Sequence, residues 1–155
     1  MQSGGVLVLF GNDKNNMEFA HFNQLSERFG IHFNEDSYHR VVGKDFAMGT
    51  SDRLPAHPIF DRVRRIYLKE ICSLRIHAPA EPVLTEDGLV LMATARIGEG
   101  TVFAVGDPWL YNEYIDNRKL PDGYDNWLAG QNLFRWLLGQ VRRENKSPLG
   151  TYPGK

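Results

Sequence analysis

A chain of 155 residues can bury the core of one domain and is short for two. Its 42% hydrophobic and 24% charged residues are ordinary for a globular protein. A net charge of −1 with dispersed Lys and Arg argues against nucleic acid as the main partner. No apolar run approaches a membrane span, no signal peptide is visible, and one cysteine, Cys72, excludes an internal disulfide and a cysteine-based zinc site.

Gly4-Gly5 leads into Val6 to Phe10 (VLVLF), a continuous apolar run expected as a central strand buried on both faces. Turn residues follow from Gly11 to Asn16. Phe19, Phe22, Leu25 and Phe29 recur at helical spacing and predict a helix over roughly Met17 to Phe29. Asn15 or Asn16 would cap it and Gly30 would end it. Ile31-His32-Phe33 alternates as a short strand, and an edge strand is expected near Val41-Val42. Pro58 to Val63 suits a short helix with Pro58 near its first position.

Ile66, Leu68, Cys72, Leu74 and Ile76 keep period two against polar neighbours, which describes strand with one solvated face, interrupted near Glu70. Pro82 to Leu84, Leu89 to Ile97 and Thr101 to Val105 predict a strand and then a meander, with turns at Glu86-Asp87-Gly88 and Gly98-Glu99-Gly100. Asp125 can cap a last helix running to about Arg142. Its apolar stripe is Trp127, Gly130, Phe134, Leu137 and Val141, widened by Leu133 and Leu138. Residues 1–143 are expected as a single domain and 144–155 as a flexible tail.

The fold class that follows is α/β: three layers around a mostly parallel sheet with an antiparallel meander. A doubly wound domain seldom opens on its most buried strand. Either the chain simply starts there, or it is an incomplete version of a larger fold with a sheet edge or apolar face left bare. The second alternative predicts a homo-oligomer.

Ligands gather beyond the carboxyl ends of strands in open α/β sheets. The loop after Val105 is therefore the first candidate site. Asp107, Trp109, Tyr111, Asn112 and Glu113 combine aromatic faces with polar groups, as sugar binding does, and Asp13 would line the same end if VLVLF and TVFAV run parallel. The alternative is that Trp109 and Tyr111 close the core while Asp107 bonds loop amides. Glu35, Asp36 and His39 bring two carboxylates and an imidazole together, so Asp107 with Glu35 or His39 is a weak catalytic candidate. Adjacent residues on an extended chain point apart, so a solvated loop explains Glu35 and Asp36 as well. The histidines make no HExxH pair, and no Walker loop, GxGxxG or GxSxG is present. No cofactor and no metal is implied.

The segments GGVLVLFGND, FNQLSERFGIHFNEDS, LPAHPIFDRV, IYLKEICSLRI, GEGTVFAVGDPWLYNEYID and NLFRWLL, in this order, carry a resemblance over about residues 4 to 140. Together they resemble the C-terminal accessory domain of bacterial unsaturated rhamnogalacturonyl hydrolases, a domain similar in fold to class I glutamine amidotransferases. The resemblance implies a flavodoxin/amidotransferase-like fold and a periplasmic or extracellular setting. It also implies a non-catalytic role beside a glycoside hydrolase partner, with an oligosaccharide as ligand. The alternatives are a small hydrolase acting on uronic-acid saccharides and a structural oligomerisation module. The hydrolase's helical barrel has no counterpart here. Cys72 lacks the glycine-flanked elbow of an amidotransferase nucleophile, so neither activity transfers.

Overall fold

The computed structural model describes residues 2–108, 114–116 and 118–141. In chain order its elements are β1 (Val6–Phe10), α1 (Phe19–Ser26), β2 (Ile31–Phe33), β3 (Thr50–Ser51), β4 (Ile66–Tyr67) and β5 (Leu74–Ile76). Then follow β6 (Ala80–Glu86), β7 (Leu89–Ile97), β8 (Gly100–Val105) and α2 (Asn126–Gln140). The result is a mixed α/β domain built on a mostly antiparallel sheet, with strand order β1-β8-β7-β5-β2 and β6 also paired to β7. The expected mostly parallel, flavodoxin-like sheet is corrected: among the described residues β1 and β8 make the parallel pair, and the other strand pairs are antiparallel. Tight turns at Asp87-Gly88 and Gly98-Glu99 reverse the chain from β6 to β7 to β8, and reversal by a hairpin enforces antiparallel neighbours.

Alternating side chains give the sheet two buried faces. Leu9, Phe33, Ala93, Val102 and Ala104 meet Phe29 and α1's Phe22 on one side; Leu91, Phe103 and Val105 meet Ala129, Leu133 and Leu137 of α2 on the other. β8 is buried along its whole length. VLVLF is not central: β1 ends the strand order, and only Leu9 of its five residues is fully buried. A continuous apolar run looks the same in a central strand and in an edge strand that a helix covers, so the sequence could not separate them.

The long strand β7 organises the sheet's curl. β6 runs along one of its edges. The other edge carries β8 opposite Met92 to Ile97 and then, at Val90, β5. Where β8 gives way to β5, Gly106 donates to Leu91 O (3.2 Å) and accepts from Cys72 N–H (3.1 Å). A Cβ at Gly106 would lie 1.8 Å from the Cys72 carbonyl oxygen, so only glycine fits this junction.

Several local expectations change for traceable reasons. Glu18, not Asn15 or Asn16, caps α1, its carboxylate accepting from the amides of Ala20 and His21. Gly30 ends the following 3-10 turn with φ of 76°. Leu25 of the predicted stripe is exposed, while Asn23 and Ser26 are buried. No strand forms at Val41-Val42; β3 pairs instead with β4 in a small separate sheet. The stretch from Ile66 to Ile76 divides between the two sheets at Glu70, whose φ is 54°. Tyr67 and Ser73, placed on a solvated face by the pattern, are buried. Pro58 opens a 3-10 turn rather than a longer helix. In α2, Gly130, Leu133 and Leu137 turn inward, but Trp127, Phe134, Leu138 and Val141 are exposed. Asp125 makes no side-chain cap; its carboxylate takes the Arg64 amide and guanidinium. The tail at 144–155 and Arg142 lie outside the described residues.

Two buried asparagines fasten the helices to strands. Asn23 accepts from Phe33 N–H (2.8 Å) and donates to Phe33 O (3.0 Å). Asn126 does the same for Tyr67, at 2.8 and 2.9 Å. Each side-chain amide stands in for the peptide of a neighbouring strand and satisfies both main-chain groups of one residue.

Gly106→Ala is expected to destabilise the fold by about 3 kcal/mol or prevent folding, measured as a loss of urea midpoint at unchanged m-value.

Candidate functional site

Because β1 and β8 run parallel in the register Phe10↔Val105, the chain leaves both strands at one rim. Asp13 and Asp107 lie on that rim, both buried. The turn Asn34 to Ser37 and the start of β5 complete it. Asp13 accepts from Asn16 Nδ2 (2.6 Å) and from Ser37 Oγ (3.0 Å). Asp36 accepts from Ser73 N–H (2.7 Å) and Ser73 Oγ (2.5 Å). Three carboxylates, Asp36, Asp107 and Asp13, thus surround Cys72. Burial, with their negative charge added, pushes its thiol up to about 12. A neutral, fully buried thiol donating to the Gly106 carbonyl (3.3 Å) is a packing group and not a nucleophile.

Trp109, Tyr111, Asn112 and Glu113 lie outside the described residues. Glu35 is exposed, while its neighbour Asp36 is committed to Ser73. His39 has a different partner from the one the sequence offered. Its Nε2 lies 3.0 Å from Glu86 Oε2 and its Nδ1 donates to Leu68 O at 3.0 Å, with both side chains largely buried. Both ring nitrogens of His39 thus face oxygen partners. With both nitrogens engaged, the ring has none left for Asp107 or a substrate. Tyr38 stacks on His39 at 4.3 Å and donates to Asp87 (2.7 Å), and burial first, then that carboxylate, pushes its hydroxyl up to about 12. The cluster ties the Tyr38-His39 segment to the β6–β7 turn. Nothing in the sequence marked Glu86 as its member, since 47 positions of chain separate the two, by subtraction of their numbers.

Among the described residues no group of three or more His, Cys, Asp or Glu side chains is arranged to hold a metal ion, and no helix is long and apolar enough to cross a membrane.

A second surface stands out. β6 carries Pro82 and the exposed Glu81 along its length, and Asn23 takes both main-chain groups of Phe33 in β2. β1 carries neither a charge nor a proline, and no strand among the described residues pairs with its outer edge. Val6 and Val8 are only half buried, on the sheet face that α2 covers. The flank of α2 turned away from the 58–60 turn exposes Trp127 (53%), Leu138 (72%) and Val141 (45%).

The fold has a counterpart among solved structures. The chain matches the structure described as the mmIFT52 N-terminal domain with a TM-score of 0.67 and 20% identity, over 88% of this chain and 66% of that one. No family model matches the chain, and no curated protein does. These findings overturn the resemblance to a rhamnogalacturonyl hydrolase accessory domain: the similar structure belongs to another protein. The sugar-degrading role, the uronic-acid hydrolase and the association with glycoside hydrolases rested on that resemblance and fall with it.

Two expected outcomes follow. Cys72 is expected to resist thiol reagents at pH 8 in the folded protein and to react fully once unfolded. Its folded pKa lies above the unfolded value, so stability is level below about pH 9 and falls as pH rises toward 12, at up to about 1.4 kcal/mol per pH unit. Cys72→Ala should flatten the first part of that fall in urea titrations across pH. Glu86→Ala, which strands the buried imidazole, should destabilise by about 3 kcal/mol, and the double variant His39→Ala with Glu86→Ala should cost less than the sum of the two single changes in urea titrations.

Proposed function

We propose that this chain is a non-catalytic assembly module that joins a second copy of itself through β1 and the exposed flank of α2. The observation that carries the reading is the outer edge of β1, an uncharged, proline-free strand of the main sheet whose outer side no described strand pairs with. An uncharged strand suits its own copy: VLVLF against VLVLF, antiparallel across a two-fold axis, meets no like charge. Trp127, Leu138 and Val141 supply the apolar surface that a lone strand pairing lacks. The polar rim supports the same reading, since Asp13, Asp36 and the Cys72 thiol are engaged in holding loops.

The name of the similar structure is that of an intraflagellar-transport protein. At 20% identity the likeness is one of fold, and this chain spans 66% of that domain's length. It is compatible with an assembly role and lends nothing to an enzymatic one.

Light scattering across a concentration series is expected to show a dimer. Leu138→Glu with Trp127→Gln, both at exposed positions, should weaken it at least about tenfold without lowering the melting point. Amide exchange at Val6 to Leu9 should slow as concentration rises. A monomer at every concentration, or a dimer indifferent to both substitutions, would defeat the proposal.

A further inference from the structure

An open cavity lies away from both the rim and the β1 edge. It holds about 820 Å³ between the segment from Pro55 to Arg62 and α2. Its construction follows from a few bonds. Pro58 opens the 3-10 turn, and His57 Nδ1 accepts from Ile59 N–H at 3.2 Å. Ile59 and Phe60 go into the core, and Asn132 Nδ2 donates to Asp61 O at 2.9 Å. The segment is thus fastened to α2 at Asn132 and stands off from it elsewhere.

One wall of the cavity is aromatic. The His57 ring meets Trp136 edge to face at 5.3 Å and lies 6.4 Å from Phe60, and Trp136 in turn packs on Phe103 at 6.3 Å. That chain of rings runs from the cavity into the core, so the wall is held rigid. Burial lowers the His57 pKa, which keeps its ring neutral. With Nδ1 accepting an amide proton, the ring's own proton sits on Nε2, and the ring is a donor there.

The lining is also charged. Arg62 and Arg135 carry two positive charges against the single carboxylate of Asp61, in a chain whose total is −1. Arg135 Nη1 leans on Asn132 Oδ1 at 3.4 Å, and Arg62 Nε reaches Asp61 at 3.3 Å, so each guanidinium keeps donors to spare. Arg62 holds a φ of 58°, a conformation that costs a non-glycine residue about 1 kcal/mol, and in it the side chain lines the cavity.

We propose that this cavity binds a small ligand with an apolar, ring-like body and one anionic group, carboxylate or phosphate. The body lies on the wall of His57 and Trp136, and the anion sits between Arg62 and Arg135. The volume suits a ligand of that size, and spare guanidinium donors are the groups that recognise planar or tetrahedral oxyanions. The site is independent of the assembly reading, because none of its lining residues lies on β1 or among Trp127, Leu138 and Val141.

The test is titration of the full chain with phenyl phosphate, phenylacetate, benzyl alcohol and inorganic phosphate. The readout is the indole N–H resonance of Trp136, assigned through Trp136→Phe. Saturable shifts are expected with phenyl phosphate or phenylacetate, and the tighter of the two distinguishes a phosphate source from a carboxylate source. Benzyl alcohol and inorganic phosphate should each bind at least about tenfold more weakly. Arg62→Gln and Arg135→Gln, both exposed, should each weaken the anionic ligand about tenfold and leave benzyl alcohol unchanged, with melting points retained. No saturable shift with either anion, equal binding by benzyl alcohol, or undiminished binding in both variants would overturn the proposal.

Discussion

Everything in this fold takes its position from β8. All six of its residues are buried, it pairs with β1 in parallel and β7 in antiparallel fashion, and its side chains alternate between the two cores. At its end, Gly106 lets the backbone of Cys72 come so close that no side chain can intervene. That approach brings β5, and through it β2, onto the edge of β7 that β8 has just left. A sheet that hands one edge from strand to strand must curl. The curl gathers Asp13, Asp36 and Asp107 around one buried thiol.

Polar groups hold the periphery to this frame. Asn23 and Asn126 each bracket a single residue of a neighbouring strand, and both are buried, so the bonds form away from competing water. Asp36 on Ser73, and His39 between Leu68 and Glu86, do the same for loops that have no regular ladder of their own. Such groups look catalytic in a sequence because buried carboxylates and imidazoles are also what enzymes use. Their partners decide the matter, and here the partners are backbone and loop side chains. Elsewhere among the described residues the chain presents an uncharged edge strand, an apolar helix flank, and an open cavity with an aromatic wall and two arginines.

Part of the candidate site was legible from the chain alone. A shared rim for Asp13 and Asp107 is what VLVLF and TVFAV imply if they run parallel, and β1 and β8 are paired so. The pairing of His39 with Glu86 was not legible, because it needs the β6–β7 hairpin to fold over a loop far away in sequence. Nor was the exposure of Trp127, Leu138 and Val141: they keep the spacing of a core stripe, and periodicity reports which residues share a face, not whether anything covers it. The cavity joins residues 55–62 to α2 through Asn132, a contact with no local signature.

Local chemistry determined what is local in this protein. β-branched and aromatic runs made strands of Val6–Phe10, Leu89–Ile97 and Gly100–Val105; glycines with positive φ closed the turns; helical spacing set α2. Strand direction for the meander followed as well, since short turns allow only antiparallel return. The tertiary structure alone decided the strand order, and with it the place of VLVLF at an edge and of β5 beside β8's end. Strand order depends on contacts between residues far apart along the chain, and no pattern within a strand records which neighbour it will meet.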